Sequence, residues 1–200
     1  FAIYSNHIIL YTLLFSTSAF KVGKRQSPID LGTALIDYNM YGIVAMNYGI
    51  QGPCQVTNNG HTVTITGFDQ WPNRPAVYGA DLTSPYVVDN LHFHWARQAV
   101  KGGSEHKING NSYDAELHIV HIKQGLTMDE ALLLHDGLVV MAIFLKLSPN
   151  AAELSSLDKA FAQVTVAEQP YNITLAPAEI LPQNIEAFYR YNGSLTTPEC

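Results

Sequence analysis

Leu91-His92-Phe93-His94-Trp95 and Glu116-Leu117-His118-Ile119-Val120-His121 are the two stretches on which the reading of this chain turns. In an extended strand, side chains two apart point to the same face. His92 and His94 therefore share a face, and Phe93 takes the other. Read as a strand, the second stretch puts Glu116, His118 and Val120 on one face. Three imidazoles converging from two neighbouring strands make a three-nitrogen metal site with its fourth position open. That is the arrangement of a catalytic zinc rather than a structural one.

The surrounding chain suits such a pair of strands. Gly102-Gly103-Ser104-Glu105-His106 and Asn109-Gly110-Asn111 are turn-rich and lie between the two histidine runs, as an antiparallel pairing with an elaborated loop requires. Tyr86 to Trp95 and Ala115 to Ile122 read as the strands themselves. Asn58-Asn59-Gly60 is a turn signal, followed by the alternating Thr62-Val63-Thr64-Ile65-Thr66, with His61 at the junction. Gly137 to Leu147 is almost wholly apolar, the pattern of a strand buried on both faces. Thr127 with Glu130 three residues later predicts a capping box and a short helix. Leu157, Ala160, Phe161 and Val164 have helical spacing, and Ile185 to Tyr191 reads as a strand. These elements predict a mainly β, α+β fold: a large twisted, mostly antiparallel central sheet with a few short peripheral helices.

Two hundred residues, 47% apolar and 14% charged, suffice for one domain with a substantial core. A net charge of −6 offers no basic footprint for nucleic acid. Only Cys54 and Cys200 are present, which excludes a cysteine-ligated zinc site. Any disulfide joins these two or goes outside the chain. Ile8 to Phe15 is apolar and Ser16-Thr17-Ser18-Ala19 is small, as at the end of a signal peptide. A buried strand or helix is the other reading of that run. Residues 1–20 are expected to be an apolar, signal-like leader, and residues 21–200 a single domain. Two acceptor sequons, Asn172-Ile173-Thr174 and Asn192-Gly193-Ser194, are compatible with a secreted or extracellular protein, with a cytoplasmic location as the alternative.

Seven blocks together resemble the α-class carbonic anhydrases. They are Gly23-Lys24-Arg25-Gln26-Ser27-Pro28-Ile29-Asp30, Asn58-Asn59-Gly60-His61, Leu91-His92-Phe93-His94-Trp95, Gly103-Ser104-Glu105-His106, Ala115-Glu116-Leu117-His118-Ile119-Val120-His121, Ile143-Phe144-Leu145-Lys146 and Gly193-Ser194-Leu195-Thr196-Thr197-Pro198. They occur in the family's order and close to its spacing. The resemblance implies a carbonic-anhydrase-like fold and reversible hydration of carbon dioxide to bicarbonate and a proton by a zinc-bound hydroxide. It implies His92, His94 and His118 as ligands of Zn2+. Glu116 matches the carboxylate partner of the third histidine. Asn90 stands where the family usually has glutamine as partner of the first, and its shorter side chain implies a longer or water-bridged hydrogen bond. By the same resemblance, Thr196 accepts from the zinc hydroxide and donates to Glu105. His61 takes the proton-shuttle position, a role suited to a group titrating near neutrality. Val120, Val140 and Leu195 line the apolar substrate wall, and Thr197 the polar side of the cavity. His106 and His121 match family positions that are structural and hydrogen-bonded.

Several features depart from the family. Pro198-Glu199-Cys200 replaces its common Pro-Pro-Cys, and the usual cysteine just before Gln26 is absent. The domain is expected to be C-terminally incomplete, with further strands and a backbone partner of the middle histidine lying beyond Cys200. A catalytically silent binding module or a matrix protein is the alternative function. Such relatives lose a zinc histidine or add low-complexity repeats, and this chain does neither. Membrane association and oligomeric state have no signal in the residues.

Overall fold

The computed structural model describes residues 2–14, 25–35, 37, 41–96, 102–148, 155–167 and 169–196. Among the described residues there are ten strands: β1 (Ala2–Leu14), β2 (Ile43–Met46), β3 (Gly52–Asn58), β4 (Val63–Thr66), β5 (Ala76–Gly79), β6 (Tyr86–Trp95), β7 (Ala115–Lys123), β8 (Leu138–Ser148), β9 (Tyr171–Leu175) and β10 (Phe188–Gly193). Two short helices, α1 (Met128–Leu132) and α2 (Ser155–Gln163), accompany them. All ten strands belong to one sheet, with the main order β10-β1-β8-β7-β6-β4-β3-β9 and β2 joined to β6 through β5. Every pairing is antiparallel except that of β1 with β10.

The alternation of side chains across β6, β7 and β8 positions the site. Leu91 and Phe93, Leu117 and Ile119, and Met141 and Ile143 all enter the main core on one face. His92 lies opposite His118, and His118 opposite Ala142, so the intervening residues share the other face. From Ala115 to Ile122 every residue is buried, because elements cover both faces of the middle strand. The almost wholly apolar run expected over Gly137 to Leu147 is β8, its residues from Leu138 to Leu145 all at 7% exposure or less.

On the core side, α2 packs through Leu157 and Ala160, followed by Val164, and its Phe161 ring meets Phe93 edge-on at 5.1 Å. The expected capping box of α1 is formed: the Thr127 hydroxyl accepts from the Glu130 amide, and the Glu130 carboxylate accepts from the Thr127 amide. β10 starts at Phe188 rather than Ile185, because Asn184 accepts the Glu186 amide and holds the chain in a bend there. The backbone of residues 2–14 is β1, which pairs with β8 and β10 and links β10 to the rest of the sheet. No helix among the described residues is long and apolar enough to cross a membrane.

Candidate metal centre

β6 presents Asn90, His92 and His94 on the face away from the main core, and β7 presents Glu116, His118 and Val120 beside them. The register sets His92 against His118 and His94 against Glu116. The ring centroids of the three histidines lie 4.5–5.2 Å apart. One nitrogen from each ring falls within 4.8 Å of the others.

Hydrogen bonds settle which nitrogens are free. A carboxylate only accepts, so His118 donates Nε2–H to Glu116 Oε1 at 2.7 Å and its Nδ1 keeps a lone pair. His92 Nδ1 lies 3.1 Å from Asn90 Oδ1, which likewise accepts, leaving Nε2 unprotonated. The bond expected to be longer or water-bridged is therefore direct, at the long end of the usual range. His94 Nε2 is buried and has no hydrogen-bond partner among the described residues. Burial, then the neighbouring charges of His118 and His94, pull the His92 imidazole down to about 3. Burial, then His118, pull His94 down to about 4. Both rings are neutral near pH 7, with lone pairs available to a cation. An orphaned buried nitrogen flanked by two others freed by their partners fits a divalent metal of the zinc type.

A chain of directed bonds backs His118. Glu116 is fully buried and takes three N–H groups, from His118, from His106 Nδ1 at 2.6 Å and from the His106 amide at 2.9 Å. Burial opposes its charge, but the bonds from His106 and His118 outweigh burial and hold its carboxyl well below the usual range. His106 Nε2 accepts from the Tyr191 hydroxyl at 2.6 Å, and that oxygen accepts from Ser27 Oγ at 2.6 Å. Ser27 and Ser194 close the chain, each amide donating to the other's hydroxyl at 3.0 Å. His106, Glu116 and His118 also cluster at metal-ligand distances, but these bonds already occupy that carboxylate.

The segment carrying Glu105 is folded tightly against the ends of β6 and β7. The Gly103 and Ser104 amides both donate to the Tyr113 carbonyl. A Cβ on Gly103 would lie 2.3 Å from the Asp114 carbonyl oxygen and 2.5 Å from the Ala96 nitrogen, so only glycine fits. Glu105 Oε1 stands 3.4 Å from His94 Nδ1, and its buried Oε2 has no hydrogen-bond partner among the described residues.

Val120 and Val140 face each other across β7 and β8, and Leu195 packs against their apolar cluster, beside the histidines. Their shared face follows from strand alternation, the signal already visible for Val120 in the sequence. His61 is exposed on the Asn58–Thr62 turn, its amide bound to Asn59 Oδ1. Thr196 is partly buried, and no hydrogen bond joins it to Glu105 among the described residues. Thr197 and Cys200 lie outside the described residues. His121 is fully buried and bonded to Tyr48 and to the Val139 carbonyl, away from the histidine trio. Ser27 lies in one of the blocks that carry the resemblance and Tyr191 in none, and their part in the chain behind His118 depends on β10 reaching the N-terminal loop. No local spacing signals that.

A family model described as eukaryotic-type carbonic anhydrase matches residues 16–200. Carbonic anhydrase 6 of Homo sapiens is 35% identical over 186 residues, which is 89% of this chain and 59% of that protein. Carbonic anhydrase 7 of Mus musculus is 32% identical over 179 residues, 88% of this chain and 67% of that one. Carbonic anhydrase 12 of Homo sapiens is 32% identical over 188 residues, 89% and 51% of the two chains. The chain thus spans little more than half the length of some of the curated relatives it matches.

Proposed function

The chain belongs to the eukaryotic-type carbonic anhydrase family, and from that premise we propose that it holds zinc through His92, His94 and His118 and catalyses the reversible hydration of carbon dioxide to bicarbonate and a proton. The observation that carries this reading is the orphaned, buried Nε2 of His94 beside the freed nitrogens of His92 and His118. Zinc in such a site acts as a Lewis acid and lowers the pKa of bound water to about 7, a figure for which carbonic anhydrase is itself the reference case.

The protein's own groups supply the rest. Val120, Val140 and Leu195 offer an apolar wall where carbon dioxide can rest without competing for hydrogen bonds. The unpartnered Oε2 of Glu105 is an acceptor suited to the Thr196 hydroxyl. With its proton directed there, the Thr196 oxygen is left to accept from the reacting side of the site. Asn90 and Glu116 fix the rings of His92 and His118. Exposed His61 would pass protons to buffer, and Thr197 is assigned to the polar side of the cavity by the resemblance alone. An extracellular location is supported by the exposure of both sequon asparagines, Asn172 and Asn192.

Zinc content and carbon dioxide hydration measured on this chain test the proposal. One zinc per chain with activity, both lost in His118→Ala, is the expected result. Absence of bound zinc would sink it, and zinc without activity would point to the silent binding module.

A further inference from the structure

One residue beside this site has no role so far. Asp89 lies in β6, between Val88, which pairs with His121 of β7, and Asn90, which pairs with Val120. Adjacent residues of β7 thus face residues two apart in β6, and Asp89 is the extra one, a β-bulge. The packing records the same slip. Val88 enters the main core with Leu91 and Phe93, whereas Val87 joins Val120 and Val140 on the side of the site. In a regular strand, positions 88 and 91 would face opposite ways. On its other edge, β6 pairs with β5 through Tyr86 and Val87 and with β4 through Leu91 and His92, so the bulge falls in the gap between them. The backbone there is held from outside. The Val88 amide donates to the Pro75 carbonyl, and Arg74 donates Nε–H and Nη2–H to the Val88 carbonyl at 3.2 and 2.6 Å.

The bulge matters because neighbours in a flat strand point apart, whereas Asp89 and Asn90 turn together. Asn90 Nδ2 donates to Asp89 Oδ2 at 3.0 Å. The carboxylate accepts and cannot donate, so it fixes which end of the Asn90 amide faces it. The other end, the oxygen, then faces His92 Nδ1 at 3.1 Å and can only accept. His92 must therefore carry its proton on Nδ1. Without Asp89 the amide could turn over and offer its NH2 group to His92, which favours the proton on Nε2 and blocks that nitrogen as a ligand.

We propose that Asp89 is a positioning residue for the metal centre, acting through the Asn90 amide to hold His92 as the Nδ1–H tautomer with Nε2 open. This deepens the reading of His92, His94 and His118 as zinc ligands and rests on it. Removing a partner behind a metal ligand typically weakens binding by about 10–100-fold, and Asp89 stands one bond further out, so a loss near the lower end, about tenfold, is expected.

The test compares the wild type with Asp89→Leu and Asp89→Asn, in which the side-chain oxygen can still accept. Zinc affinity is read by chelator competition, and the His92 tautomer by two-bond nitrogen–proton NMR of the zinc-free protein. Asp89→Leu should bind zinc about tenfold more weakly and show His92 shifted towards Nε2–H, while Asp89→Asn should restore both readings. An unchanged tautomer in Asp89→Leu would overturn the proposal, whatever the zinc affinity. So would Asp89→Asn behaving like Asp89→Leu. Should the wild type bind no zinc, the ligand reading fails, and the tautomer measurement still decides the relay.

Discussion

Acid should destabilise this fold through His121, and the size of the effect can be worked from its surroundings. The ring is fully buried between β7 and the Tyr48 side chain. Its Nδ1 faces the Val139 carbonyl at 3.2 Å and must donate to it, so Nε2 must accept from the Tyr48 hydroxyl. Protonating Nε2 would set two donors against each other unless the tyrosine turned. Burial is the main cause that pulls the imidazole down from 6.5 to about 4. The Val139 and Ile119 carbonyls resist the shift, and the Arg74 guanidinium adds to it.

The sign follows from proton counting. Between pH 6.5 and about 4 the unfolded chain holds a proton on His121 that the folded chain does not. Stability is therefore complete above pH 6.5 and is lost as the pH falls towards 4. At about 1.4 kcal/mol per pH unit, the His121 contribution comes to about 3 kcal/mol over this window. His121→Gln keeps a donor for Val139 and an acceptor for Tyr48 but cannot titrate. Urea unfolding of the zinc-free proteins from pH 7.5 to pH 4 should show the wild type losing about 3 kcal/mol more than His121→Gln. His92 and His94 titrate in both proteins and cancel from the difference. Parallel loss in the two proteins would refute the assignment of a neutral, acid-sensitive His121.

Tyr191→Phe removes the donor to His106 and the acceptor for Ser27, so equilibrium unfolding should show a loss of about 1–3 kcal/mol; an unchanged midpoint would mean that the chain behind Glu116 stores no stability. Cys54 is buried, and burial pushes its thiol up to about 12, so a thiol reagent at pH 8 should modify it only after denaturation, and rapid labelling of the native protein would contradict this placement. His61→Ala should slow carbon dioxide hydration in weak buffer and leave it unchanged in strong buffer, and an equal rate in weak buffer would remove His61 as the proton exit.

The parts of this fold that were legible in the sequence are those whose signal is local. Period-two spacing placed His92 and His94 together, an almost wholly apolar run marked β8, and Thr127 with Glu130 marked the start of α1. The less legible parts depend on distant partners. β2, β5 and β9 are strands of four or five residues, and β2 and β5 carry apolar residues on both faces, so no alternation marks them and their pairing decides that they are strands at all. The bulge at Asp89 is the telling case. Counting alternate residues along β6 would put Val88 on the face of Asn90 and His92, yet Val88 lies in the core on the opposite face. The slip arises where β6 passes from β5 to β4 on one edge, held by Arg74, and none of this is encoded within the strand itself.

The three histidines are held unequally as a result. Glu116 fixes His118 with a full charge, and Asn90, itself held by Asp89, fixes His92. His94 has only Glu105 Oε1 near its Nδ1, at 3.4 Å, and no hydrogen bond to it among the described residues. A strand delivers the first and third of the proposed ligands already in one tautomer, through partners two residues away on the same face. The proposed middle ligand, His94, has no such neighbour, because the residue two before it is His92. Alternation that brings His92 and His94 together thus also denies His94 a same-strand partner towards the start of β6, so its second nitrogen must be satisfied from a different part of the fold.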